Sequence, residues 1–471
     1  MLPLRSLPDS RKGGYRYQEA LLLLFVLLIG VLGFFLVSAA RQVRAGGDPL
    51  TNLPGNVLTE LAPMAVVAAG LVGLHLLLAL RRVRVDTIIL PVVGLLLVLG
   101  LTMIWRLRGE EGVWQQLTRG FIPGILISAA LIAWPRLIER IRRLAIPISI
   151  IGLLLPVATA LFGAPDETGA RLALKIGPLP PIQTSEMIKL SLLIFLAWFI
   201  EAEGQAAEGR ARTLLLWGRM PAPRYFVPGA LFVGVATLAL ISMSDYGAVL
   251  ILGFLFVAML YAGFQTRIFA TVAAIGLGFA ILAGFVLSLT WELPTVVQHR
   301  FQAFQDPWSQ EELLVAGQPA GISIAEGPGY QIQQSIYAAI AGGVSGAGLG
   351  FGTPEFVPLA VSDFIFAAII EEMGSAIGIA ILALFVILVL RILRIALLLP
   401  AEQIFERLLL VGIAVHLFTQ VFIMTGGTLN LFPLTGVTIP FLSLGGAALM
   451  INLAEIAMVL AIMQRLERLP V

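Results

Sequence analysis

Cysteine is absent from the 471 residues, which excludes disulfides and thiolate metal sites and leaves the redox compartment open. Charge is scarce as well, at 12% Asp, Glu, Lys and Arg with a formal net charge of +2, so there is no basic face for nucleic acid. Histidine occurs three times, at His75, His299 and His416, too scattered to read as a metal cluster. His75 and His416 fall on apolar runs, where a hydrogen-bonded core role is the expectation. No internal repeat is visible, which weighs against the inverted-repeat transporters.

What is abundant is hydrocarbon. At 59% hydrophobic and a mean hydropathy of +0.96, the chain belongs with polytopic membrane proteins. A basic lead of Arg5, Arg11, Lys12 and Arg16 precedes an apolar run from Ala20 that is longer than a cleavable signal usually carries, so it reads as a retained first span. Further runs long enough to cross a bilayer begin near Val57, Thr87, Phe121, Leu144, Met187, Phe226, Tyr246 and Ile268. After a gap, others begin near Phe364, Leu408 and Val437. The expectation is an all-α polytopic membrane protein of about twelve spans. With the N-terminus inside, twenty-one of the thirty Lys and Arg fall on inner segments and eight on outer ones, Lys189 lying within a span. The positive-inside rule then puts both termini in the cytoplasm and the loop 291–362 outside. Its part from Gln310 to Gly327 lacks helical periodicity and reads as a flexible insertion.

Polar and conformationally special residues gather between Gly329 and Glu372. The stretch opens with Gly329-Tyr330-Gln331 and Ser335, passes glycines at 342, 343, 346, 348, 350 and 352, and closes on Asp363 and the pair Glu371-Glu372. Backbone rich in glycine cannot face lipid with its amides unpaired, so the stretch lines protein or a watery cavity. Alternate glycines at 346–352 offer either an amide nest for phosphate or close packing.

These residues resemble the SEDS family (RodA, FtsW, SpoVE). Gly329-Tyr330-Gln331 with Ser335, the Gly-rich loop, and Asp363-Phe364-Ile365-Phe366 before Glu371-Glu372 are similar to that family's pattern. So are Gly169-Ala170-Arg171 leading into Gln183-Thr184-Ser185-Glu186 and Lys189, then Asp245-Tyr246-Gly247, and Pro433 through Gly446 around Ser443. The resemblance runs from about Asp86 to the C-terminus. It implies a ten-span core over 86–471 behind an N-terminal two-span extension over 1–85. It also implies polymerisation of peptidoglycan glycan strands from lipid II, beside a class B penicillin-binding protein, in the bacterial cytoplasmic membrane. The setting is elongation, division or sporulation, with undecaprenyl-linked glycan and membrane lipids as further partners. Substrate-contacting positions are implied at Arg171, Glu186, Lys189, Asp245, Arg300, Tyr330, Gln331, Ser335, Asp363, Glu372 and Ser443.

The family's essential outer-loop Asp falls, by ungapped count, on Gln310, and by counting back from Tyr330 on Ile324. An amide cannot act as a general base, and the acceptor hydroxyl needs a carboxylate. Asp306 is the candidate base, with Glu326 the alternative and Glu311 a third. Each carries the bland reading of a turn cap or a solvated loop charge. Glu186 and Lys189, three apart, share a helix face and can pair; a link from that pair to Asp245 or Glu372 and a hold on lipid pyrophosphate are equal alternatives. Asp363, Glu371 and Glu372 on one span could hold a divalent cation, Mg or Mn, or be structural carboxylates met by Arg171 or backbone amides. Besides a glycosyltransferase, the sequence admits a lipid II binder or flippase, a scaffold for the penicillin-binding protein, and, from another class, a small-solute transporter.

Overall fold

The computed structural model describes residues 16–47, 57–83, 86–163, 173–174, 182–209, 212–214, 218–220, 227–264, 271–278, 281, 295–315 and 318–466. The chain is a predominantly helical polytopic membrane protein. Its helices are α1 (Tyr17–Arg44), α2 (Val57–Leu80), α3 (Ile89–Gln116), α4 (Ile122–Ala133), α5 (Leu137–Arg143), α6 (Ala145–Phe162), α7 (Thr184–Gly209), α8 (Val227–Ser242) and α9 (Tyr246–Gly263). They continue as α10 (Thr295–Gln305), α11 (Pro328–Gly342), α12 (Ile365–Met373), α13 (Ser375–Leu398), α14 (Ile404–Thr428) and α15 (Gly446–Leu466). Each apolar run expected from the sequence falls on one of these helices except the run from Ile268. Of that run only 271–278 and 281 are described, as helix.

A continuous helical stretch, Ile89–Ala133, is 45 residues long, about 65 Å and roughly twice a bilayer core. It is two passes. Gly109 adopts φ 63°, ψ −151°, and the chain folds back there. Gly100, before the bend, abuts the Leu442 backbone, while Gln116, after it, donates to the Ser443 carbonyl at 3.0 Å and accepts from Gly445 N at 2.9 Å. A straight helix would hold positions 100 and 116 about 24 Å apart. A π-helical turn, Leu117–Phe121, follows and lets Gly120 and Gly124 pack directly on α15.

The centre of the bundle is α3, α14 and α15, whose apolar windows are about four-fifths buried, with α1, α6 and α13 at the lipid-facing periphery. Inside this core His416 Nδ1 meets Glu455 at 2.8 Å, and between the peripheral α1 and α2 the part-buried His75 Nδ1 meets Glu19 at 2.7 Å, so both histidines are hydrogen-bonded within the bundle as expected. At one face of the bundle, arginines close the helix ends. Arg16 reaches Glu19 and the Val83 carbonyl, Arg391 pairs with Asp86 at 2.7 Å, and Arg465 pairs with Glu139 and Glu406.

Three expectations are corrected. The described residues of the expected flexible insertion 310–327 instead include an antiparallel hairpin, Glu312–Val315 with Gln318–Ser323, because Leu313 and Ile324 bury with Ala303 and Ile332 in a small core of their own. Gly321 at φ 74° and a bulge between Glu312 and Leu314 shape it. The span expected from Phe364 starts at Ser375, because Gly374 (φ 87°, ψ 160°) breaks it and leaves α12 as a separate, wholly packed helix. The span expected from Val437 starts at Gly446. Pro433, Gly436 and Pro440, with left-handed Asn430 and Phe441, hold 429–445 irregular.

Candidate active site

Polar residues that the sequence scatters from Glu186 to Asp363 meet near the starts of α7 and α9 and beside α10. Asp245 precedes α9, and its Oδ1 accepts from Ala248 N at 3.0 Å, capping that helix. Next to it, Tyr246 offers its ring to the Arg300 guanidinium, 6.0 Å from the centroid. Arg300 projects from α10 and donates to the Thr435 carbonyl at 3.4 Å. Asp363 comes from the turn before α12 and lies against Gly436, where a Cβ would stand 3.5 Å from Oδ2. The irregular segment 429–445 thus forms a floor shared by Arg300 and Asp363.

Lys189 sits one and a half turns into α7, 2.7 Å from Glu186 Oε1, both side chains nearly closed to solvent. The expected pair therefore forms, and the second Glu186 oxygen is buried without a protein partner among the described residues. Desolvation pushes the Asp245 carboxyl up, while the Ala248 amide, Lys189 and Ser185 oppose it. Asp363 is pushed up to about 6 by desolvation, against the pull of Ser362 and Arg300, with Asp245 raising it further. Burial lowers Arg300, and Asp245, Asp363 and Tyr246 hold it charged. Two carboxylates, an arginine and a lysine close enough to sense one another's charge make a candidate functional site.

The remaining expected residues divide. Asp306 immediately follows α10 and is exposed; its Oδ1 accepts from Trp308 N at 3.0 Å, which is the turn-capping geometry, and its other oxygen is not used in that cap. Glu326 and Ser323 cap one another across the hairpin end, at 3.1 and 3.3 Å. Glu311 is exposed and Gln310 donates to the Trp308 carbonyl at 3.3 Å. Ile324, at the alternative family position, is core of the hairpin. Tyr330 is exposed and Gln331 half-buried on α11. Ser335 and Ser443 spend their hydroxyls on packing, donating to the Thr428 and Ser362 carbonyls at 2.7 Å each. Arg171 lies outside the described residues.

Asp363, Glu371 and Glu372 do not form one donor set. α12 begins at Ile365, so Asp363 precedes it and the two glutamates end it, about 13 Å away along nine residues. Glu371 Oε1 accepts from Thr353 N at 2.6 Å, and Glu372 accepts from Arg106 Nε at 2.9 Å and Gly350 N at 2.8 Å. Those oxygens are committed, and among the described residues no three His, Asp or Glu side chains gather at metal-ligand spacing. The glycine loop is likewise committed. Ala347 N and Gly348 N donate to the carbonyls of Glu371 and Glu372, so its amides serve α12 rather than a phosphate. Tyr246 and Arg106 were not legible as site partners.

Between α13 and α14 lies a lateral cavity of about 240 Å³, lined by Phe385, Phe418, Phe422 and Phe432 and almost wholly apolar. Leu431 and Phe432, in the 429–445 segment that floors the polar site, are part of its lining.

Residues 81–468 match the family model described as cell cycle protein, FtsW/RodA/SpoVE. The peptidoglycan glycosyltransferase RodA of Mycobacterium tuberculosis is 32% identical over 388 residues, covering 80% of this chain and 77% of that protein. The RodA of Mycobacterium leprae is 29% identical over 449 residues, 92% and 88% of the two chains. Among solved structures, a chain of a peptidoglycan synthase complex that coordinates polymerisation and crosslinking superposes with TM-score 0.62 at 25% identity, over 81% of this chain and 98% of that one. Thermus thermophilus RodA superposes with TM-score 0.55 at 24% identity, over 82% and 99%.

Proposed function

The chain belongs to the FtsW/RodA/SpoVE family, and on that premise we propose that it is a peptidoglycan glycosyltransferase that polymerises glycan strands from lipid II at the outer face of the bacterial cytoplasmic membrane. The observation that carries this reading is the convergence of Lys189, Arg300, Asp245 and Asp363, together with an apolar cavity whose lining includes Leu431 and Phe432 of the segment that Arg300 and Asp363 contact. Lipid II is both things at once, a polyprenyl chain and a pyrophosphate-linked disaccharide.

In the reaction the acceptor 4-hydroxyl attacks the anomeric carbon of the growing chain. The new C–O bond forms as the bond to phosphate breaks, undecaprenyl pyrophosphate departs with the electron pair, and a base takes the hydroxyl proton. Lys189 and Arg300 meet the pyrophosphate charge, which grows at the leaving oxygen. The charges of Asp245 and Asp363 favour the protonated Arg300 guanidinium. We assign the base to Asp306, in the turn that follows the helix carrying Arg300, with one oxygen outside its turn cap. Glu326 is the alternative, beside Gly329 and Tyr330. A divalent cation does not fit the carboxylates of α12, and no step is routed through one.

The partner in this reading is a class B penicillin-binding protein that crosslinks the product, and both termini lie in the cytoplasm with the arginine-closed face. Purified protein given lipid II, with and without that partner, tests it. Glycan polymer that depends on this chain supports the reading. Absence of polymer in the presence of the correct partner turns Gln310 into the mark of a lost site and leaves a lipid-binding scaffold.

A further inference from the structure

A second set of charges gathers at the far end of α12. Arg106 donates from Nε to Glu372 Oε1 at 2.9 Å and from Nη2 to both the Gly352 carbonyl (3.1 Å) and Glu355 Oε2 (3.0 Å). Arg44, the last residue of α1, reaches the same Gly352 carbonyl and pairs with Glu355 Oε1 at 3.4 Å. One turn earlier Arg41 donates to the Trp105 carbonyl and stands 5.0 Å over the indole ring. Ala40 closes against Gly350, where a Cβ would come within 2.4 Å of the Ala40 Cβ and where φ is +83°. The last turn of α1 is therefore fitted to the loop 346–355, and that loop is bonded through Gly350 and Thr353 to Glu372 and Glu371.

We propose that Arg44 is a positioning residue for the polymerase site: with Arg106 it clamps Gly352 and Glu355, fixes the 346–355 loop, and so seats α12, whose other end presents Asp363. Two arginines on one carbonyl and one carboxylate hold a short loop more firmly than either alone, since each fork fixes direction as well as distance. The exposed Arg44–Glu355 contact contributes little to global stability by itself. Its effect is local, on where a glycine-rich loop rests. The hairpin α1–α2 then acts on catalysis without touching substrate. The functional half of this inference rests on the glycosyltransferase reading; the clamp itself does not.

The absence of cysteine allows a test that separates the two. A single thiol is introduced by Val357→Cys, at a buried position beside the loop, in the full chain. Labelling of that thiol by an impermeant maleimide is measured alongside lipid II polymerisation in the complex with its penicillin-binding protein. Arg44→Ala is expected to raise labelling at position 357 about tenfold and lower kcat about tenfold, with KM for lipid II within about twofold, as loss of alignment rather than of binding requires. Arg44→Lys should recover part of both effects. Faster labelling with no polymerisation by the unmutated protein upholds the clamp and sinks the glycosyltransferase reading. Labelling and kcat both at the unmutated level in Arg44→Ala overturn the proposal. So does a loss of kcat matched, in Arg44→Ala and Arg44→Gln alike, by an equal loss of folded protein.

Discussion

Glu186 Oε1 accepts a hydrogen bond from Lys189 Nζ at 2.7 Å in a pair almost closed to solvent. Removing one member leaves the other charged and buried, which costs about 3–5 kcal/mol, whereas removing both is far milder. Lys189→Met and Glu186→Gln should each lower the thermal midpoint of the detergent-purified protein by more than the double variant does. A double variant as unstable as the sum of the singles contradicts the pairing. Polymerisation should be lost in both variants that lack Lys189, whatever their stability.

Asp363 titrates near 6 in the folded chain because desolvation outweighs the help of Ser362 and Arg300. The folded state thus holds a proton that the unfolded chain releases near 4. This group's contribution to stability is fully present below about 4, declines as pH rises through 6, and is level above that. Asp363→Asn should remove that part of the slope from unfolding midpoints measured between pH 4 and 7. An unchanged slope would place the carboxylate in water.

Glycine is required where α11 and the loop touch α12. A Cβ on Gly342 would lie 2.0 Å from the Ile370 carbonyl oxygen, and Gly346, at φ +81°, would place one 2.3 Å from that of Glu372. Gly342→Ala and Gly346→Ala should each cost on the order of 1–3 kcal/mol through overpacking and strain. Gly276→Ala, with nothing within 4 Å of its Cβ, is the control and should leave the midpoint unchanged.

Hydrophobic runs made the membrane architecture legible, because lipid imposes a length and a polarity that single residues report directly. The Glu186–Lys189 pair was legible for the same reason, as i, i+3 spacing on one helix. The reversal at Gly109 was expected only as two runs, at Thr87 and Phe121; the turn itself is one glycine in a charged connection. The hairpin over 312–323 escaped because its core of Leu313, Ile324, Ala303 and Ile332 is assembled from three elements, none periodic alone. Asp363 was misplaced on a helix with Glu371 because the break at Gly374 and the start at Ile365 depend on the loop amides that α12 captures. Its true neighbours, Arg300 and Asp245, are brought there by packing, which no spacing in the chain encodes.

The rate of lipid II polymerisation by Asp306→Asn, in the purified complex with its penicillin-binding protein, tests the central claim most directly. An asparagine can cap the Trp308 amide as the aspartate does, so the fold is retained while the base is lost. The rate should fall roughly 10²–10⁴-fold, with Glu311→Gln and Glu326→Gln near the unmutated level. An Asp306→Asn protein that polymerises at the full rate, while Glu326→Gln or Asp363→Asn abolishes polymer, would contradict the assignment.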